Sequence, residues 1–438
     1  MEKEQHNILE IPESICRVLE RVKSVFRDEP KVYEIFENCY TDTLRTAVKR
    51  MEDESVYVVT GDIPAMWLRD SAASLRPYLI PAREDAQVAD LLVGVVHRQF
   101  QYICIDPYAN AFNETSNGNC WAKDETEMND WLWERKYEVD SLCYPLSFAY
   151  LVWKNTGRTE QFDHVFLEGA WKILEVFRIE QCHEERSSYR FSRKDTYFTD
   201  TLSRDGKGAL VKSKTGMIWS GFRPSDDACT YGYLVPSNMF AVTALENLAE
   251  IAEQILKASD LAEEALKLSN EIYEGIETYA ITRKEEYGEV YAYEVDGFGQ
   301  YNLMDDANVP SLLSMDYLGY HGRNPQVAVN TRKMILSEAN PFYYKGEKAA
   351  GIGSPHTPVG YVWHIALCMQ GLTAGTKEEK KRIIDMLTAT DGGKQLMHES
   401  FCVDDDTHYT REWFAWANAM FSELVMDYCG YHLVTNND

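Results

Sequence analysis

A helical period recurs along nearly the whole chain, and it narrows the possible folds more than any other feature. Residues 86–106 show it best. Val88, Leu91, Leu92, Val95, Val96, Phe100 and Ile103 fall on one face at three- and four-residue steps. The same spacing predicts helices over 15–26, 32–51, 71–79, 141–155, 162–183, 236–249 and 251–279. It predicts five more over 311–318, 325–336, 363–372, 377–390 and 413–428. Runs of β-branched residues are rare. Residues 56–60 read as one short strand, and 285–296 as a hairpin around Tyr287-Gly288. A parallel β/α barrel needs eight strand-like runs between its helices, and they are missing. The expectation is a mainly helical toroid of paired helices. Its aromatic and small-residue helices would lie inside, and its long loops would line one mouth.

With 438 residues, 45% of them hydrophobic, the chain can bury a large core. The reading is of one domain over 1–438, with residues 1–55 as N-terminal helices packed on it. A formal net charge of -26 argues against nucleic acid or an anionic membrane as partner, since both repel a negative surface. No run of 18 apolar residues is present, so no transmembrane helix is expected. The first fifteen residues, MEKEQHNILEIPESI, hold no apolar stretch of the signal-peptide kind. The 10 cysteines are scattered, without a Cys-x-x-Cys pair, which points to reduced thiols in the cytoplasm.

Three polar stretches interrupt the helical pattern. Residues 106–130 carry Asn110, Asn113, Trp121, Asp124 and Glu125 with little periodicity; loops this long in compact domains are usually functional or disordered. Residues 61–71, GDIPAMWLRDS, set Asp62, Arg69 and Asp70 around Trp67. Asp70 or Ser71 can be a helix N-cap there, or the Arg–Asp pair can grip a sugar beside a stacking ring. Residues 219–229, WSGFRPSDDAC, hold Arg223 and the adjacent pair Asp226-Asp227. Those carboxylates can cap the helix that follows or serve as acids in a pocket.

Phosphate-binding glycine loops and the H-E-x-x-H pattern are both missing. The Asp404–Asp406 run lacks the spacing of a calcium loop. No His/Asp cluster suggests a metal, and no cofactor is expected. What remains is carboxylates among aromatics, 12% of the chain. That suits glycoside hydrolysis, where one carboxylic acid protonates the leaving oxygen and another carboxylate activates water or attacks. The candidates are Asp62, Asp70, Asp124, Glu125, Asp226, Asp227, Asp305, Asp306, Glu399 and Glu412, and spacing alone does not reduce ten to two.

The chain resembles family 125 of the glycoside hydrolases, the exo-acting α-1,6-mannosidases. The resemblance rests on GDIPAMWLRDS (61–71), WSGFRPSDDA (219–228), YGYLVPSNMF (231–240), HESF (398–401) and WFAWAN (413–418). It implies an (α/α)6 barrel that releases mannose with inversion and without a metal. By resemblance Asp226 is the general acid and Glu399 the general base. The acid must keep its proton until substrate arrives, which burial and Asp227 favour and Arg223 opposes. In an inverting site the two carboxyls stand roughly 6.5–9.5 Å apart. Asp62, Arg69, Asp70, Arg223, Asp227, Glu125 and His356 are expected around the sugar, with Trp67, Trp121 and Trp133 as platforms. The expected partner is an α-1,6-linked manno-oligosaccharide. The alternatives are a helical-barrel glycosidase of other specificity and a non-catalytic carbohydrate-binding protein.

Overall fold

A computed structural model describes residues 11–435. Residues 1–10, which include most of the stretch read for a signal peptide, lie outside it. Twelve helices of eight residues or more are present among the described residues. They are α1 Glu13–Val25, α2 Pro30–Asp42, α3 Leu68–Leu75, α4 Ala86–Ile105, α5 Val139–Thr156 and α6 His164–Glu180. The rest are α7 Val235–Ile251, α8 Ser259–Tyr279, α9 Pro325–Ile335, α10 His364–Leu372, α11 Lys377–Ala389 and α12 Ala415–Tyr428. Local signals set several starts. The Asp85 carboxylate accepts from the amides of Gln87 and Val88 at α4, and Asp163 accepts from Val165 and Phe166 at α6. At the end of α5, Gly157 takes the left-handed conformation (φ 73°) that closes a helix without a Cβ clash.

An inner ring closes on itself. α3 packs on α5, α5 on α7, α7 on the 3-10 turn Leu312–Ser314, that turn on α10, α10 on α12, and α12 on α3. α2, α4, α6, α8, α9 and α11 pack outside it. This is the (α/α)6 barrel. Burial follows the two rings. All eight residues of α3 are buried, and in α7 only Glu246 and Glu250 are not. α8 instead buries one stripe, including Leu261, Ala265, Leu268, Ile272 and Ile276. A fully buried Leu or Ile contributes about 1.5–3 kcal/mol, so inner helices gain from every face and need no strong amphipathic pattern.

Each inner helix begins at the same mouth. Short strands lead directly into several of them: Met66–Trp67 into α3, Tyr233–Leu234 into α7 and Tyr361–Trp363 into α10. Their partners come from the long loops. Met66–Trp67 pairs with Ala111–Phe112, which pairs with Leu132–Glu134. Tyr361–Trp363 pairs with Ser400–Cys402, which pairs with Tyr409–Thr410.

The helix expected over 32–51 stops at Asp42. A π turn, Thr43–Ala47, leads to strand Val48–Arg50, which pairs antiparallel with Val56–Val58. The β-branched 56–58 run needs a partner for its backbone groups, and the end of the expected helix supplies it. The helix expected over 311–318 is only the 3-10 turn, because the amides of Leu312 and Leu313 bond the Asp305 carboxylate at 2.8 and 3.0 Å. The helix expected over 251–279 is two elements, broken where Lys257 turns left-handed (φ 55°). The hairpin lies slightly earlier than expected, with Ile281–Lys284 paired to Gly288–Tyr291.

α1 packs on α2 and α12, Ser14 Oγ donates to Asp85 at 2.7 Å, and Lys31 reaches Asp391 at 2.9 Å. On these contacts we propose that the N-terminal helices and the barrel are one folding unit. Limited proteolysis is expected to give no pair of independently stable fragments, and recovery of two folded halves would refute this. No helix of the described residues is long and apolar enough to cross a membrane.

Candidate active site

A cleft of about 380 Å³ opens where the inner helices begin. α3 brings Trp67, Arg69 and Asp70 to it, and the loop before α7 brings Pro224, Ser225 and Asp226. Asn308 comes from the segment before the 3-10 turn, His356 and Trp363 from the segment before α10, and Glu399, Arg411, Phe414 and Trp416 from the chain around α12. Asp226 and Glu399 therefore face one cavity, although they are far apart in sequence.

Asp226 is not a helix cap. α7 begins at Val235, with Leu234 in the cap position. Asp226 sits in a tight turn with φ 71°, a conformation that Asp and Asn tolerate better than most residues. The turn is closed by Asp226 N–H donating to Arg223 O at 2.9 Å and Arg223 N–H donating to Asp227 O at 2.8 Å. Lys136 Nζ donates to the Asp226 carbonyl at 2.8 Å, and Asn110 Nδ2 lies 3.4 Å from its Oδ1. Asp70 is not a cap either, because α3 starts at Leu68 and places it in the first turn. Its carboxylate accepts from Thr60 Oγ1.

Glu399 stands at the start of a strand whose backbone is fixed from behind. His398 N–H donates to His364 Nδ1 at 3.1 Å, and His364 Nε2 lies 3.0 Å from Thr390 O. The His398 ring contacts the carbonyls of Glu412 and Asp391 at 3.1 and 3.2 Å. Burial, with help from the His398 charge, pushes His364 down to about 3, so it is a neutral spacer. Arg411 lies beside Glu399, with Nη1 3.7 Å from Oε1, and its Nε and Nη2 donate to Asp62 Oδ1 at 2.9 and 2.5 Å. Asp62 thus meets the cleft through Arg411. Gly61 makes this approach possible: with φ 129°, a Cβ there would meet Trp413 O at 2.6 Å.

Arg69 is buried among three carboxylates, with Glu138 at 2.7 Å, Asp140 at 3.1 Å and Asp70 at 3.5 Å. Burial raises the carboxyls of Glu138 and Asp140, and Arg69 pulls both back down. Burial lowers Arg69 itself, but Glu138, Asp140 and Asp70 outweigh it and hold the guanidinium charged.

Asp227 is 4% exposed. Its Oδ1 lies 3.1 Å from His356 Nδ1, while Oδ2 has no hydrogen-bond partner among the described residues. Burial pulls the His356 imidazole down. The bond to Asp227, that residue's charge, and the charges of Glu399 and Asp226 outweigh it and lift His356 to about 9. With an ordinary value near 6.5, His356 is a cation at neutral pH. Its contribution to stability is complete below about 6.5 and is lost as pH rises through about 9. NMR titration of the imidazole is expected to show this late deprotonation. Asp227→Asn should move it back toward the ordinary value, and an unmoved midpoint would refute the pairing.

The remaining sequence candidates do not line the cleft. Arg223 is 5% exposed and donates to Glu294 Oε1 at 2.6 Å. Trp133 packs with Ile63, Ala65 and Ala111 against Trp67, which supports that ring. Trp121 is 56% exposed, and Glu125 pairs at the surface with Lys194 and Ser192. Asp124 pairs with Arg193 at 2.7 Å, Asp305 caps the 3-10 turn, and Glu412 pairs with Lys394 at 3.4 Å. Asp306 is buried, 3.4 Å from Ser225 Oγ and 3.2 Å from Ser354 Oγ, and so ties the loops of Asp226 and His356 together. Arg411, Asn308, Trp363, Glu138 and Asp140 were not anticipated. The one signal for the last two was their place just before a helix rich in aromatics.

A helical barrel with carboxyls, cations and indole rings at one mouth is the architecture of a glycoside hydrolase. The chain belongs to glycoside hydrolase family 125, the metal-independent α-mannosidases, whose family profile matches residues 29–426. It is 50% identical to a metal-independent α-mannosidase of Streptococcus pneumoniae solved in a non-productive complex with α-1,6-mannobiose. That match has a TM-score of 0.93 and covers 96% of this chain and 99% of the other. It is 39% identical to the meiotically up-regulated gene 157 protein of Schizosaccharomyces pombe, over 94% of this chain and 85% of that protein. A more distant glycosidase structure, 11% identical with a TM-score of 0.57 over 92% of this chain and 97% of its own, shares the fold.

Proposed function

We propose that this α-mannosidase removes single mannose units from the non-reducing end of α-1,6-linked manno-oligosaccharides, with inversion at the anomeric carbon. The observation that carries the reading is the shared cleft of Asp226 and Glu399, two carboxyls on separate loops. The α-1,6-mannobiose complex of the Streptococcus pneumoniae relative supports the linkage.

Asp226 gives its proton to the glycosidic oxygen as the bond from that oxygen to C1 breaks. Glu399 takes a proton from a water molecule, whose oxygen forms the new bond to C1 from the opposite face. The first product is β-mannose. Arg411 stands beside the Glu399 carboxylate as a fixed positive charge, with Nη1 3.7 Å from Oε1. Asp227 Oδ2 is a buried acceptor without a partner among the described residues. His356, which lines the cleft, offers its ring to a mannose hydroxyl while Asp227 holds it from behind. Trp67 and Trp363 supply flat walls to the sugar ring. The cytoplasmic location read from the scattered thiols is part of the same proposal.

A panel of α-linked mannobioses tests this. Release of mannose is expected to be fastest from the α-1,6 isomer and unaffected by chelator. NMR of the first minutes should show the β anomer ahead of mutarotation. Faster cleavage of the α-1,2 or α-1,3 isomer would overturn the linkage, and α-mannose as first product would overturn the inversion.

A further inference from the structure

Tyr197 and Phe198 are adjacent aromatics, 83% and 88% exposed. Scattered apolar side chains at a surface need no explanation, but this pair does not belong to a loose loop. Thr196 Oγ1 donates to Asp200 Oδ2 at 2.7 Å, and Asp200 N–H donates to Tyr197 O at 3.0 Å. Arg193 Nη1 donates to both Asp200 oxygens at 2.9 and 3.0 Å, and Lys136 Nζ donates to Oδ1 at 2.7 Å. The turn is therefore clamped by two buried cations while its two rings face solvent.

The clamp also joins this turn to the acid loop. The same Lys136 Nζ donates to the Asp226 carbonyl at 2.8 Å, and Ala228 N–H donates to Thr199 O at 2.7 Å. Phe198 is thus held beside the loop that carries Asp226 into the cleft. An enzyme that binds a terminal sugar leaves the rest of the glycan outside, and that remainder must run over the rim. A mannose ring offers an apolar C–H face of about the size of one aromatic ring.

We infer that Tyr197 and Phe198 form an outlying platform on which the reducing-side sugars of a longer manno-oligosaccharide stack while its terminal mannose occupies the cleft. This rests on the proposed exo-acting reading. Size favours a glycan over a protein. Aromatic side chains of this kind bury about 150–250 Å² each, so the pair offers roughly half of the ~800 Å² per partner that a stable protein interface needs. Its continuity with the loop of Asp226 favours the same ligand that enters the cleft.

The test compares wild type with a Tyr197→Ala/Phe198→Ala double variant on α-1,6-mannobiose and on a linear α-1,6-mannohexaose. Two stacking contacts are lost together, so KM for the hexaose should rise at least roughly fivefold. The kcat on both substrates, and KM for the disaccharide, should hold within about twofold. Tyr197→Phe/Phe198→Tyr should behave as wild type. Equal KM changes on both substrates would overturn the inference, since the turn would then act through the acid loop. Unchanged hexaose kinetics would overturn it too, and so would an altered sedimentation coefficient with unchanged hexaose KM, which would point to self-association. If wild type cleaves neither substrate, the proposed function fails. Calorimetric binding of the hexaose to wild type and double variant then reads the platform separately, and equal affinities would overturn it.

Discussion

Asp226→Asn is expected to lose at least 10²–10⁴-fold in kcat on a natural α-mannoside, the usual contribution of general acid–base help, and to recover most of that loss on an activated substrate. A sugar alkoxide leaves badly and needs a proton, whereas a dinitrophenolate or fluoride leaves with little help. Glu399→Gln should fail differently. The attacking water must be activated whatever leaves, so its loss of similar size should persist on both substrates. Thermal unfolding separates this from damage to the fold. Among the described residues Asp226 accepts one long side-chain contact, from Asn110, and caps no helix, so its substitution should cost little stability. Measuring both variants on both leaving groups decides the assignment. Equal impairment of Asp226→Asn on the two substrates would show that Asp226 is not the acid.

Arg69→Met should be the most destabilising single change at the site. It removes the one cation among the described residues within ion-pair distance of Glu138 and Asp140, both of which are buried. Breaking a buried pair by deleting one partner costs about 3–5 kcal/mol, because the remaining charge is left uncompensated. The pH dependence gives a second signature. Burial already holds Glu138 and Asp140 above the ordinary carboxylate range, and loss of Arg69 raises them further. The folded state then binds protons that the unfolded state does not, so stability falls as pH rises through the raised values. The deficit of Arg69→Met should therefore be largest at neutral and alkaline pH and shrink on acidification. Urea unfolding at several pH values measures this, and a deficit that grows on acidification would contradict it.

The helices were legible in both rings. The stripe of α8 marks its far end, and α7, α10 and α12, buried on nearly every face, still lie within two residues of the bounds that their apolar runs predict. What was lost depends on tertiary partners. Nothing local in residues 43–50 announces a strand, because the strand forms only against 56–58. Nothing local in 311–318 reveals that Asp305 has taken the amides of Leu312 and Leu313. The candidate site divides in the same way. Trp67, Arg69, Asp70, Asp226, His356 and Glu399 stand in dense polar motifs, and all six line the cleft. Arg223 stands in such a motif too, yet it turns away to Glu294, a partner 71 residues on. Nothing local marks Arg411, and only the pairing of 400–402 with 409–410 folds it back over Glu399.

The common starting edge of the inner helices has an electrostatic consequence. The amino end of a helix behaves as roughly half a positive charge, and α3, α10 and α12 open theirs into the cleft. Alone they would oppose the oxocarbenium-like transition state of glycoside cleavage, which gathers positive charge on the sugar. Besides the proposed acid and base, five carboxyls, Asp62, Asp70, Glu138, Asp140 and Asp227, stand at or directly behind the cleft, against the three cations Arg69, Arg411 and His356. Their density answers the architecture as well as the chemistry. A barrel wound so that its axial field points the wrong way for a cationic transition state needs a surplus of carboxylates to reverse it, beyond the proposed acid and base.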